Sequence, residues 1–140
     1  MKLELTRRGD YTVRAMIALA EAGNDQLSAR AIGARMRIPA SFVPQVMAHL
    51  SRVGMARATL GRRGGYRLAM PPGDISLLEI VEVAEGASGR RTCVLRGVPC
   101  KQGGTCQVHD TFAAAQQALL VILGQTMLSD VASPATPRRE

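Results

Sequence analysis

Between Cys93 and His109 the chain reads C-V-L-R-G-V-P-C-K-Q-G-G-T-C-Q-V-H, a stretch that holds all three of its cysteines and one of its two histidines. Thiolates and a neutral imidazole are the ligands that soft and borderline metals prefer. Gly97, Pro99, Gly103 and Gly104 suit a loop that folds back to aim its sulfurs at one point. The spacing C-x6-C-x5-C-x2-H names Cys93, Cys100, Cys106 and His109 as candidate ligands. Such a set admits a closed tetrahedral zinc staple. It also admits an iron-sulfur cluster, which takes thiolates and accepts a histidine on one iron. Spacing alone does not choose between them. The competing reading is structural, with one disulfide and a spare thiol or three inert thiols. The opening stretch is too poor in apolar residues for a signal peptide, and the intracellular chain this implies seldom keeps structural disulfides.

A ligand loop needs a body to hold it and a task to serve, and charge points to the task. The formal net charge is +7. It is unevenly spread: residues 1–70 carry twelve Lys or Arg against four Asp or Glu, and residues 71–140 carry six against seven. A basic first half joined to a near-neutral second half suggests a nucleic-acid-binding module with a sensing or pairing module behind it. The only aromatics are Tyr11, Phe42, Tyr66 and Phe112, too few for stacking on single-stranded bases. No apolar run approaches the roughly 20 residues of a membrane span, so the expected location is cytoplasmic with no membrane partner. No nucleophile, base and orienting group fall into a supported arrangement, and the chain is read as a non-enzyme.

The elements of the first half then follow from period and punctuation. Thr6 caps a helix running to Ala22, apolar on so much of its circumference that it must be covered on more than one side, and Gly23-Asn24 stops it. Ser28 caps a second helix to about Met36, and Ile38-Pro39 breaks it. Between Ser41 and Val53, the residues Phe42, Val46, Leu50 and Val53 recur at helical period, with Ser41 as cap and Pro44 tolerated in the first turn. This second helix of a helix-turn-helix presents Ser41, Gln45, His49 and Arg52 to solvent. Next come Met55 to Leu60, the loop Gly61-Arg62-Arg63-Gly64-Gly65, and Tyr66-Arg67-Leu68. Glycines around two arginines permit a tight loop between short strands, a wing whose tip can enter a minor groove or clamp phosphates.

In the second half, Pro71-Pro72-Gly73-Asp74 is a linker, and Ser76-Leu77-Leu78-Glu79 has the form of a capping box for a helix to about Glu85. After the cysteine loop, residues from Asp110 to Leu123 read as a long helix with Phe112, Ala115, Leu119, Ile122 and Leu123 on one stripe. A helix this apolar in a small protein calls for a partner, most simply its own copy in a two-fold dimer. The expected organisation is a winged helix-turn-helix DNA-binding region over 1–70 and a connecting helix over 71–86. A cluster-binding loop over 87–109, a dimerisation helix over 110–132 and a disordered tail over 133–140 complete it. The fold class is mainly α, with a two-stranded wing.

The order of these elements resembles the IscR/NsrR-type family of iron-sulfur winged-helix transcription regulators, as do the strings L-T-R-R-G-D-Y-T-V-R-A-M, G-R-R-G-G-Y-R-L and D-I-S-L-L-E-I-V. The resemblance runs from Met1 to about Ala132. It implies a homodimeric regulator of transcription, read as a repressor, that binds a pseudo-palindromic double-stranded operator and senses iron-sulfur status, redox or nitric oxide. It further implies a cluster on Cys93, Cys100 and Cys106, base contacts at Ser41 and Gln45, and wing contacts at Arg62 and Arg63. The full set of candidate DNA contacts is Ser28, Ser41, Gln45, Arg57, Arg62 and Arg63. Pro44 stands where the family often has an acidic residue, and the first cysteine gap is one residue longer than in the IscR-like branch. For the fourth ligand, one branch places a histidine, here His109, on a 2Fe-2S cluster. The nitric-oxide-sensing branch places an aspartate, here Asp10 of the partner subunit, on a 4Fe-4S cluster. His109 and 2Fe-2S are preferred because that histidine lies in the same loop. The alternatives are a winged-helix regulator with structural zinc, or a cluster carrier that binds no DNA.

Overall fold

The computed structural model describes residues 1–87 and 106–133. Its architectural centre is helix α1, Arg7–Ala22. Thr6, in extended conformation, accepts a hydrogen bond from the Gly9 amide through its hydroxyl, and Gly23 ends the helix at a φ of 63°. Gly9, Thr12, Ala15, Met16, Ala18 and Leu19 are buried, and the remaining positions from Asp10 on are at least half-covered. The buried Thr12 hydroxyl donates to the Arg8 carbonyl at 2.7 Å, so it carries no unmet polar cost. The two helices that follow it, the second strand of the wing, the helix after the wing and the short last helix all pack on α1, as the width of its apolar face requires.

Helix α2, Ala29–Met36, is capped by Ser28, whose side chain accepts from the Ala31 amide. Arg37 takes a left-handed conformation at its end, turning the chain through Ile38 and Pro39 into α3, Val43–Arg52. Here expectation and structure part. Ser41 is not the cap: Phe42 holds that position in a helical conformation, and no side chain caps the helix. The reason is the preceding turn. The Phe42 amide donates to the Pro39 carbonyl at 2.9 Å, so the chain is already turning helically at Phe42, and its ring packs edge-on against Tyr11 at 5.4 Å. Pro44 therefore sits within the first turn, where its missing N–H costs nothing.

Strands β1, Ala56–Thr59, and β2, Gly65–Leu68, form an antiparallel pair with Ala56 opposite Leu68 and Thr59 opposite Gly65. Leu27, just ahead of α2, pairs with Tyr66 through two backbone hydrogen bonds of 2.9 and 2.7 Å, which ties the wing's root to the helix-turn-helix. Met55 and Ala56 are buried at that root, while the tip is exposed. The fold is thus mainly α, with a two-stranded wing.

A 3-10 turn, Pro72–Asp74, leads to α4, Leu77–Glu85. Its capping box is formed in both directions: Ser76 accepts from the Glu79 amide, and Glu79 accepts from the Ser76 amide at 2.7 Å. Helix α5, His109–Gln125, packs along α4 and buries no residue of its own. The stretch expected as one dimerisation segment to 132 is divided. Thr126 takes an extended conformation, and the chain turns back so that Leu77 and Leu128 exchange hydrogen bonds with Thr126 and Ile75, at 2.9 and 2.8 Å. Helix α6, Leu128–Val131, then lies on α1 and the 3-10 turn, with Leu128 at 0% exposure. The burial that this return gives Leu128 explains the break. The tail beyond Ser133 lies outside the described residues, as do Cys93 and Cys100.

The return makes a stability prediction. Leu128→Ala should destabilise the fold by about 2–5 kcal/mol, the cost of emptying a fully buried leucine site. Urea denaturation followed by circular dichroism measures it, and a change under about 0.5 kcal/mol would detach α6 from the core.

Candidate nucleic-acid interface and cysteine turn

Helix α3 divides its residues cleanly. Val43, Val46, Met47 and Leu50 are buried, while Pro44, Gln45, Ala48 and Arg52 are exposed and continue the line begun by exposed Ser41. Because Ser41 does not serve as a cap, its hydroxyl is free for a contact. Ala48 matters by its smallness, since nothing at the centre of this face holds a groove away from the helix. His49 departs from the solvent position expected for it. It is half-buried, and its Nε2 donates to the Val83 carbonyl of α4 at 2.9 Å.

At the wing tip Arg62 and Arg63 are exposed. The turn that carries them requires glycine at two places. Gly61 has a φ of 106°, and a Cβ on Gly64 would stand 2.0 Å from the Thr59 carbonyl oxygen. On the strands, Arg57 lies directly opposite Arg67, both exposed. Like charges facing each other across a strand pair destabilise it, a repulsion that an approaching polyanion removes. Arg67 thereby joins Arg57 as a candidate contact that the sequence alone does not single out. The one available signal is strand register, which the loop length fixes. Ser28 stands at the start of α2, its oxygen engaged by the Ala31 amide at 3.1 Å.

The second candidate centre opens α5. The His109 amide donates to the Cys106 carbonyl at 3.1 Å, so the two residues flank a single turn, each half-buried. A thiol and an imidazole three residues apart supply donor types that a shared metal centre takes. Among the described residues no three His, Cys, Asp or Glu side chains converge. The other two cysteines of the expected set lie outside them. Asp10 is elsewhere, in the first turn of α1 rather than ahead of it. Its carboxylate pairs with Arg14 at 2.7 Å, and Arg14 also donates to the Met36 carbonyl at the end of α2. Asp10 is not brought beside Cys106 and His109 within the chain.

The last turn of α4 is tied to the start of α1. Glu85 accepts from the Thr6 amide at 3.0 Å and from the Thr6 hydroxyl, on the amino terminus of α1. Gly9 makes this approach possible: a Cβ there would stand 2.1 Å from the Glu85 Oε1. Neither contact leaves a local mark in sequence, since the partners are 79 positions apart.

Known proteins share this fold. Residues 5–134 match the Rrf2 family, described as iron-dependent transcriptional regulators. The chain belongs to that family. An HTH-type transcriptional regulator of Mycobacterium tuberculosis is 28% identical over 136 residues, spanning 96% of this chain and 84% of its own. An rrf2-like HTH-type regulator of Rhodobacter capsulatus is 27% identical over 142 residues, covering 95% of each chain. Among solved structures, CymR, the global cysteine regulator of B. subtilis, superposes with a TM-score of 0.79 at 24% identity, over 94% of this chain and 97% of that one. The IscR of T. potens superposes with a TM-score of 0.72 at 25% identity, over 93% and 86%.

This Rrf2-family chain is thus a transcriptional regulator with a DNA-binding fold, and its relatives are regulators rather than enzymes. Among its described residues no helix is long and apolar enough to cross a membrane. Since the wing of this Rrf2 protein turns on Gly64, Gly64→Ala should open the turn and lower affinity for duplex DNA. The global unfolding midpoint should stay close to that of the parent, because the tip is exposed. Electrophoretic mobility shift and thermal melting check the pair, and full affinity in the variant would separate the turn's shape from binding.

Proposed function

We propose that the protein is a homodimeric repressor that binds a pseudo-palindromic double-stranded operator and carries an iron-sulfur cluster, of the 2Fe-2S type, on Cys93, Cys100, Cys106 and His109. The observation that carries the reading is the position of Cys106 and His109 on the turn that starts α5, a helix with no buried residue of its own. Phe112, at 38% exposure, and Ile122, at 61%, leave apolar surface on that helix that a second copy would cover. In such a dimer the two α3 helices would enter successive major grooves about 34–36 Å apart. Ser41 and Gln45 would read base edges there, with Ser28, Arg57, Arg62 and Arg63 supplying backbone and minor-groove contacts.

Bound, the cluster would supply one-electron exchange and reactivity toward oxidants or nitric oxide. The chain's own part is to hold the ligands and pass on their state. Among Rrf2 structural neighbours one is described as a cysteine regulator, so family membership leaves the signal open, and the C-x6-C-x5-C-x2-H set favours a metal centre in this chain. A second reading is favoured by Asp10. Its ion pair with Arg14, itself bonded to the Met36 carbonyl, would link ligation by Asp10 of the partner subunit directly to the helix-turn-helix.

Two measurements test these readings. Arg62→Ala or Arg63→Ala should weaken operator binding and reduce the slope of log affinity against log salt by about 0.9 for each phosphate no longer neutralised. Unchanged affinity and slope in both would remove the wing from binding. For the metal centre, anaerobically purified protein should show visible absorption with iron and sulfide, and Cys106→Ala should lose it; a colourless protein with one zinc per chain would replace the cluster by a structural staple. His109→Ala should alter the spectrum more than Asp10→Ala does, since it changes ligation on one iron. The reverse order would assign the fourth ligand to Asp10 of the partner subunit.

A further inference from the structure

Beside α3 lies a groove of about 430 Å³ between α1 and α3, whose three arginines enter none of the contacts above. Arg7 and Arg8, in the first turn of α1, wall one side; Gln45, His49 and Arg52 of α3 wall the other, over buried Val46. Among the described residues no carboxylate lines it. Among the described residues the side-chain ion pairs are Lys2 with Glu4 and Arg14 with Asp10, so Arg7, Arg8 and Arg52 face the groove without an acidic partner. On neighbouring elements Glu85 is engaged with Thr6, Asp10 with Arg14 and Glu79 with Ser76. Three guanidinium groups gathered around one concavity repel each other, and an anion relieves that repulsion.

Gln45 settles which anion. It belongs both to this groove and to the exposed face of α3 that reads bases, so a duplex seated on that face brings one strand's phosphates along the groove. We propose that Arg7, Arg8 and Arg52 form a phosphodiester-binding groove that clamps the DNA backbone flanking the major groove entered by α3. The inference rests on the DNA-binding reading above and extends it from α3 and the wing to the first turn of α1. The clamp supplies affinity and register but no base discrimination, because every nucleotide presents the same phosphate.

The test uses the full-length protein, an operator duplex selected by the parent protein from a randomised library, and a random-sequence duplex of equal length. Binding is followed by fluorescence anisotropy across a salt series for Arg7→Ala, Arg8→Ala, Arg52→Ala and the Arg7→Ala/Arg8→Ala double variant. Each single change should weaken both duplexes by a similar factor, leave their affinity ratio unaltered, and lower the salt slope by about 0.9 per arginine. Arg7→Lys/Arg8→Lys, which keeps the charge, should keep most of the slope and controls for damage to α1. Parent-like affinity and slope in the double alanine variant, alongside a weakened Arg62→Ala, would overturn the groove while leaving the DNA-binding reading intact. A loss confined to the operator duplex would also overturn it, since that would mean base reading. Saturable binding of inorganic phosphate that the double variant abolishes, with DNA affinity unchanged, would assign the groove to a free anion instead. A parent protein that selects and binds no duplex would overturn both readings together.

Discussion

The structure depends on the burial of α1. A 16-residue helix whose side chains are covered nearly all round cannot lie on a surface; it must be wrapped. Fully burying residues such as Met16 and Leu19 is worth about 1.5–3 kcal/mol each, and that gain recruits the helix-turn-helix, the wing's second strand, α4 and the C-terminal return to one hub. Because interiors are close-packed, neighbours of a shared helix do not move independently. The helix-turn-helix, the wing and the elements that flank the cysteine segment are therefore attached to the same rod.

The last turn of α4 tightens this connection. Its Val83 carbonyl holds His49 of α3, and two residues later Glu85 holds Thr6 at the start of α1. A carboxylate at a helix amino terminus is favoured both by the free amides and by the helix dipole, and Gly9 removes the side chain that would obstruct it. Immediately after this turn, Gly86 leads the chain toward the segment that holds Cys93 and Cys100. If the proposed centre changes how that segment is held, these two hydrogen bonds would carry the change to α3 and to the start of α1. A coupling of about 1–3 kcal/mol, within reach of a few such contacts, corresponds to a roughly 5- to 150-fold change in affinity.

What the sequence discloses and withholds follows from the range of each interaction. Thr6, Ser28 and Ser76 are legible as caps because capping acts within three residues, and the wing is legible because glycines flank two arginines inside one short loop. The apolar period of α5 is equally plain. Ser41 misleads because it has the right residue type one position early, and the turn from Pro39 into Phe42 decides the matter by backbone geometry that composition does not record. His49 reads as a surface residue because its partner is the Val83 carbonyl, and any residue there offers the same group. The return of Leu128 to the core, the facing of Arg57 by Arg67 and the Arg7–Arg8 side of the groove all arise from elements distant in sequence or from strand register. Of the candidate metal ligands, Cys106 and His109 stand at the two ends of one backbone turn, while Cys93 and Cys100 lie beyond the described residues.

Cys106 and His109 both belong to the turn that begins α5, and α5 buries nothing within its own chain. Below it, Leu119, Leu120 and Leu123 face Leu3, Leu5 and Val81 across an apolar cleft of about 510 Å³, an under-filled contact between α5, α4 and the amino-terminal arm. A helix seated over such a cleft is held less firmly than one packed to native density, so forces at its first turn can shift it as a body. Ligation at Cys106 and His109 would act at that turn. Pairing through the exposed side of α5 would act along the same helix, and each would then favour the α5 position that the other favours. In the proposed dimer, occupancy of the cysteine centre and the spacing of the two recognition helices would be linked by the seating of α5.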